Sequence, residues 1–424
     1  MRACVIVCGG VVLALAAADV LETRRSANAD DGAARRVAIT VQCTALSDCA
    51  LAEHLAEDIW SEAHAEGDPI DVVVREPALE TLRAAGVRFS IIDSDIDETA
   101  RTEAVRVQAT AAQDAAYAVA SADLNPDFFK EFRDATAIEA RLSQLAALAP
   151  ERATVRGVGS TLEGRTIWAL RVRGAGDNGA PPMPMLINGA QHAREWISAM
   201  SVSCIADRLV RDYDTDAAVR AFVDGTDAWI IPVVNPDGYQ YSWSQDRYWR
   251  KNRREGFGVD LNRNYSVAFG GAGSSGQKRS DIYRGDRPFS ENETAALRAL
   301  VRRENIALHI DFHAYGQLVL YPWTYTAERT DDHARLAATG DRLASAIYGA
   351  HQNRYRLMRG VELYPASGTM TDWMYGEAKA TSYTIELRPR AGGSGFVLPP
   401  KEIVPTCNEA MAAVLALRAS PQRR

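Results

Sequence analysis

The chain has 424 residues, 47% hydrophobic and 24% charged, with 48 basic against 55 acidic side chains and a formal net charge of −7. This is globular composition, and it excludes a disordered chain, a collagen and a disulfide-packed miniprotein. A mildly acidic chain offers nucleic acid and anionic membrane no bulk attraction, and at roughly 100–200 residues per domain the length calls for two or three domains.

Arg2 precedes an apolar run from Ala3 to Ala18, with the small residues Ala16 and Ala18 set just before Asp19, which reads as a secretory signal over residues 1–18. The run is shorter than the ~20 residues of a membrane span. Secretion permits disulfides. With Cys4 and Cys8 in the signal, four cysteines remain: Cys43 and Cys49 are placed to close a local loop, while Cys204 and Cys407 read as small buried apolar residues. No cysteine pair has structural-zinc spacing.

Residues 37–95 alternate strand-like and helix-like runs: VAITVQC, PIDVVV and VRFSIID as strands, ALAEHLAEDIW and PALETLRAAG as helices, a small α+β unit. Residues 96–124 are Ala-rich, with Arg101 and Arg106 as their only basic residues, and read as a connecting helix open to a protease. From Asn125 to the end, strands (TIWALRVR, PMLINGA, WIIPVV, ALHIDFHA, YTIELR) alternate with helices, the pattern of an α/β sheet with helices on its faces. The helix beginning SENETAALRALVRR carries Ser290 with Glu293 three residues on, a capping box.

In open α/β sheets ligands sit beyond the carboxyl ends of strands. Three such ends carry unusual residues. His192 and Glu195 follow PMLINGA; three apart, they suit either one metal ion or a carbonyl-capped His beside a surface Glu. In LHIDFHAYGQ, alternation puts His309, Asp311 and His313 on one face, where burial needs a partner such as zinc. His313 is the better ligand, and His309 reads as a hydrogen-bonded core residue. Glu386 in YTIELR is flanked by apolar residues; beside a metal it is a general base, and otherwise it pairs with Arg388. Between these, Arg250 to Arg254 and Asp260 to Asn264 offer guanidinium and amide groups for a substrate carboxylate and for an oxyanion.

Taken in order, HAREW, NPDGY, WRKNR, VDLNRN, DFHAYGQLVLYPW, YPASG, DWMYG and YTIELR resemble the zinc metallocarboxypeptidases of the pancreatic A/B type over residues 125–424, and residues 37–95 are similar to their activation domain. The resemblance implies a mixed, mostly parallel twisted sheet with helices on both faces, preceded by a small α+β antiparallel unit. It implies one Zn2+ per chain on His192, Glu195 and His313, with Glu386 as general base and acid and Arg253 polarising the scissile carbonyl. Asn262, Arg263 and Tyr364 would hold the substrate's C-terminal carboxylate, and Arg194, Arg250 and Tyr315 would border neighbouring subsites. Asp260 would orient the first zinc histidine.

The pocket-floor position falls on Thr371, which has no charge to pair a basic side chain, so neutral apolar or aromatic C-terminal residues are expected. Thr324 and Arg359 fall near the same pocket, and an inward Arg359 would favour acidic substrates instead. Gly256 stands where mammalian digestive members have a disulfide cysteine. The resemblance further implies a secreted, extracellular, monomeric zymogen. It would act on peptide and protein C-termini after a protease cuts near Arg101 or Arg106, without nucleic acid or membrane as partner. The rival readings are a binding protein of the same fold and a zinc enzyme acting on another amide.

Overall fold

The computed structural model describes residues 34–61, 68–120, 123–174, 176 and 181–420. The signal reading over residues 1–18 lies outside the described residues. Among the described residues no helix is long and apolar enough to cross a membrane.

The N-terminal part runs β1 (Arg36–Gln42), α1 (Leu46–Leu55), β2 (Ala56–Ile59), β3 (Pro69–Arg75), α2 (Ala78–Ala84) and β4 (Arg88–Asp93), giving an antiparallel sheet in the order β2-β3-β1-β4. Alternation sorts its side chains: Val37, Ile39 and Val41 of β1 pack with Ile70, Val72 and Val74 of β3 under Leu79 and Leu82 of α2. Ala38 and Val73 point the other way, into the core of the larger part. The helix expected through Trp60 ends at Leu55, because Ala56–Ile59 pairs with β3 and the ladder outweighs the helix preference of Ala and Glu. A Cys43–Cys49 disulfide closes the turn after β1, as the spacing allowed. Helix α3 (Ile96–Ala120) then crosses to the larger part.

That part contains α4 (Ala135–Leu148), β5 (Ala153–Ser160), β6 (Thr166–Arg173), β7 (Met183–Gly189), α5 (Trp196–Arg211), α6 (Ala217–Asp224), β8 (Thr226–Ile231) and α7 (Pro236–Ser244). It continues with α8 (Asn292–Glu304), β9 (Leu308–His313), β10 (Leu318–Tyr321), α9 (His333–His351), β11 (Arg356–Arg359), α10 (Gly360–Leu363), α11 (Met370–Gly376), β12 (Thr381–Glu386) and α12 (Ile403–Ala419). The eight strands run β11-β10-β12-β9-β7-β8-β6-β5. The central β12, β9, β7 and β8 are mutually parallel; β10 and β6 run antiparallel to their central neighbours, with β11 parallel to β10 and β5 antiparallel to β6, so the sheet is mixed. Strands β7, β8 and β9 are covered on both faces; β7 and β8 are mostly apolar, whereas β9 alternates and buries His309, Asp311 and His313 on one face. On one face α5 and α12 bury Ile205, Leu209, Met411 and Val414 against Ile187 and Ile310. On the other, α8 and α11 bury Leu297, Leu300 and Trp373 against Leu186 and Trp229.

Two sequence expectations need correcting. Cys204 on α5 and Cys407 on α12 are buried, but they are joined as a disulfide rather than packed as separate apolar residues. The two helices lie against each other and bring together cysteines 203 residues apart, which spacing along the chain cannot reveal. The Ser290–Glu293 capping box is not formed. Helix α8 starts at Asn292; the Glu291 backbone N–H donates to Asn264 Oδ1 (3.2 Å), and the Ser290 hydroxyl donates to Glu291 Oε1 (2.6 Å).

Candidate active site

The register of the parallel strands gathers three polar strand ends. Glu386 at the end of β12 lies opposite His313 at the end of β9, and Phe312 lies opposite Gly189, the last residue of β7. Beyond Gly189, Ala190 takes the left-handed backbone (φ 51°), and the chain turns so that His192 and Glu195 face back across the sheet just before α5. A side chain at Gly189 would meet Ser198 Oγ at 2.5 Å, so the turn packs directly on α5.

His192 Nδ1 lies 2.7 Å from Glu195 Oε1 and 3.1 Å from His313 Nδ1, which is itself 3.1 Å from Glu195 Oε2. The other nitrogen of each ring is held from outside: His192 Nε2 by Asp260 Oδ1 (3.1 Å) and His313 Nε2 by Asp311 Oδ2 (2.9 Å). With both Nε2 atoms donating to carboxylates, both Nδ1 lone pairs and the Glu195 oxygens converge with no hydrogen between them. Only a cation or extra protons can reconcile that set.

Electrostatics agree. Burial alone would keep the His313 imidazole neutral, but Asp311 and Glu195 outweigh it and hold its pKa well above the usual value. Burial would raise the Glu195 carboxyl, yet the two imidazoles hold it well below the carboxylate range. Two imidazoles and one carboxylate, all buried and with donor atoms within 4.8 Å of one another, are a zinc-type ligand set with room for a further ligand. The residues present therefore fit zinc.

The remaining side chains surround a cleft of about 930 Å³. Glu386 lines it, its carboxyl pushed up by burial, with His313 opposing and Glu195 adding to the rise. It is not paired with Arg388, which binds Glu409 (3.0 Å) and Glu402. Asn262, Arg263 and Tyr364 line the cleft together. Arg263 is buried, its Nε on Gly273 O (2.7 Å), its Nη1 on Asn262 O (2.9 Å) and its Nη2 3.4 Å from the Tyr364 hydroxyl. Gly368 (φ 74°) lets this loop close, since any side chain there would lie 2.3 Å from Arg263 O.

Arg194 and Tyr315 also line the cleft, but here they bind the N-terminal sheet. Arg194 Nη1 meets Asp58 Oδ2 at 2.7 Å, and the Tyr315 hydroxyl donates to Asp71 Oδ2 at 2.8 Å. Trp60 stacks on Tyr248 (5.2 Å) and sits edge-on to Phe396 (5.4 Å).

Arg253 is not brought to the site. Its guanidinium lies 3.5 Å over the Tyr241 ring and 4.6 Å over Trp249, with Nε 3.8 Å from Glu163, and it does not line the cleft. Arg250, three residues earlier, does line it. It is held by Asp260, with Nη2 2.9 Å from Oδ2; burial opposes its charge, but Asp260, with Glu195 nearby, holds its pKa above the usual value. Thr371 lies outside the cleft wall, buried with its hydroxyl bonded to Thr384. Arg359 is committed to Glu362 (2.8 Å) and Ala327 O (2.7 Å). Thr324 donates its backbone N–H to Asp372. Asn264, part of a possible glycosylation sequon, is fully buried, its amide donating to Arg284 O, Arg287 O and Ser290 Oγ.

Sequence reading missed the support beneath His313. Asp311 Oδ1 accepts from Asn188 Nδ2 (2.7 Å) and Oδ2 from Gln191 Nε2, whose Oε1 accepts from the Tyr265 hydroxyl (3.0 Å). His309 joins the same row, its Nε2 on Asn188 Oδ1 (2.9 Å) and its Nδ1 on Ser382 Oγ (2.7 Å); burial lowers its pKa to about 4, so it is a neutral core histidine, as expected. Period-two alternation placed Asp311 on this face, and a polar residue on each neighbouring strand was the available sign of its partners.

Comparison with known proteins bears on the whole arrangement. The family model described as zinc carboxypeptidase matches residues 138–413. Carboxypeptidase A1 of Rattus norvegicus is 32% identical over 86% of this chain and 87% of its own length. Carboxypeptidase B of Astacus astacus is 36% identical over 67% of this chain and 94% of its own. The crystal structure of carboxypeptidase A from Helicoverpa armigera superposes with a TM-score of 0.77 at 27% identity, covering 92% of this chain and 99% of that one.

Proposed function

This chain belongs to the zinc carboxypeptidase family and is a metallocarboxypeptidase; on that premise we propose that it is a secreted zymogen whose mature part releases neutral, apolar or aromatic residues from peptide C-termini. The observation that carries the reading is the shared cleft, in which His192, Glu195, Glu386 and Arg250 stand beside Asn262, Arg263 and Tyr364. His192, Glu195 and His313 would hold the zinc, which when bound acts as a Lewis acid and makes water acidic near neutral pH.

The protein's own groups do the rest. Arg263, with Asn262 and Tyr364 beside it, anchors the terminal carboxylate, which restricts attack to the last peptide bond. Glu386 takes a proton from the attacking water and returns it to the departing amine, and its half-buried position keeps it close to both. Arg250, oriented by Asp260, donates to the oxyanion; this role passes to it from Arg253, which faces away. Asp260 and Asp311 keep each imidazole in the tautomer that turns Nδ1 inward.

Preference for a neutral terminal residue is supported by the lack of a free charge near the expected pocket floor. The Thr371 and Thr384 hydroxyls satisfy each other, and Arg359 is paired. Secretion is supported by the N-terminal run and by two disulfides, which persist in oxidising compartments. The zymogen reading is supported by Asp58, Asp71 and Trp60 engaging Arg194, Tyr315 and Phe396, and by Arg101 lying exposed on α3.

The test is a panel of N-blocked dipeptides ending in Phe, Leu, Lys or Glu, assayed before and after limited trypsin treatment. Phe and Leu release should lead and should rise on cutting; equal activity uncut, or Lys release in the lead, would refute those parts. Glu386→Gln should keep its zinc and lose turnover by about 10²- to 10⁴-fold.

A further inference from the structure

We propose that the mature cleft selects substrates that carry acidic residues just upstream of the terminal one. The proposal rests on the carboxypeptidase reading and adds a second determinant outside the terminal-residue pocket. Although the chain is net acidic, the cleft wall beyond Glu386 is basic: Arg354, Arg356 and Arg390 all line it, all are exposed, and none makes an ion pair among the described residues.

Their placement follows from the sheet. Glu386 on β12 pairs with Leu318 on β10, and Leu318 pairs with Arg356 on β11. At about 4.8 Å per strand, Arg356 stands roughly 10 Å from the general base, the reach of about three extended residues. Tyr355 between the two arginines is buried, which leaves Arg354 and Arg356 on the outer side together.

What now faces this wall is acidic. Asp58 of β2 and Asp68 just before β3 line the same space, and Asp58 holds Arg194 at 2.7 Å. When that sheet leaves, Arg194 joins the other three arginines. Glu195 is committed to the histidines and Glu386 to proton transfer, so Asp281 remains as the carboxylate of the larger part to offset them. A peptide with Asp or Glu two to four places from its C-terminus would replace the departed carboxylates. Exposed charges of this kind act through encounter and weak binding and are screened by salt, so the effect belongs in KM.

The experiment compares three hexapeptides ending in Phe, with Asp, Ser or Lys at the three preceding positions, and a blocked dipeptide too short to reach the wall. All are assayed on the full chain after trypsin treatment. The Asp peptide should exceed the Lys peptide in kcat/KM by about ten-fold at low salt, through KM, with the difference shrinking at about 0.5 M salt. Arg354→Glu with Arg356→Glu should reverse the order and leave the dipeptide unchanged. Equal or Lys-favouring kinetics in an enzyme that cleaves the dipeptide would overturn the proposal alone. Binding of the labelled hexapeptides to Glu386→Gln decides the same point without turnover, so a failure to cleave the dipeptide would count against the carboxypeptidase reading and not against this one.

Discussion

The small sheet and the large one are built by the same alternation of apolar residues, yet they hold their surroundings differently. The large sheet is covered on both faces by helices whose apolar residues form its two cores. The small sheet keeps a core of its own, Val37, Ile39, Val41, Ile70, Val72 and Val74 under α2, and meets the large part through Asp58–Arg194, Asp71–Tyr315 and the Trp60 ring, with Ala38 and Val73 beside them, while α3 adds Glu103–Arg247 and Ile96. A seam made largely of polar pairs around one aromatic plug can open without dissolving either core. His192, Glu195 and Glu386 line the cleft from one side of it, and Asp58, Trp60 and Asp68 from the other.

The sharpest test of that division lies within the large part. Arg250→Gln should lower kcat by about 10²- to 10³-fold, while Arg253→Gln, stacked on Tyr241 and Trp249, should leave kcat nearly unchanged; steady-state kinetics on one dipeptide compares them. Next in size, Asp311→Asn should speed zinc loss to a chelator about 10- to 100-fold, read as metal content against time, because His313 loses its charged support. Across the seam, Asp58→Asn with Trp60→Ala should raise the activity of the uncut chain about ten-fold, since the Asp58–Arg194 ion pair and a stacked ring are lost, and should leave the trypsin-cut enzyme as it was.

A last test reads stability and not turnover. Burial pushes the Glu293 carboxyl up to about 7, and its Oε1 has no hydrogen-bond partner. A carboxyl whose folded pKa is raised favours the folded state when protonated. Its penalty is therefore absent near pH 4, grows as pH rises toward 7 and is full above it. Glu293→Gln should be more stable than the parent by about 2–3 kcal/mol at pH 8 and by little near pH 4, measured by urea unfolding at both.

Much of the site was legible from residue types at strand ends. His192 with Glu195, His313 and Glu386 stand out because each lies at or just beyond the end of a parallel strand, and the register brings those ends together. Arg253, expected in the cleft but stacked on Tyr241 while Arg250 lines it, shows the limit. In a run of basic residues three apart, local pattern does not say which one a distant Asp260 will draw inward. Likewise AEDI looked helical because its composition is, and only the β3 edge decides otherwise. The Cys204–Cys407 bridge and the Asn188–Asp311–Gln191 group depend on elements that meet only after folding.

Glu103 on α3 forms a buried ion pair with Arg247, which also donates to Arg194 O (2.9 Å) and Phe396 O and lies 3.6 Å over the Trp196 ring. Arg101 precedes Glu103 in the chain and Arg106 follows it. A cut after Arg101 leaves the counter-ion attached to the mature enzyme, whereas a cut after Arg106 takes it away and strands a guanidinium in the interior, a loss of about 3–5 kcal/mol. Two scissions only five residues apart would thus release the same catalyst with very different lifetimes.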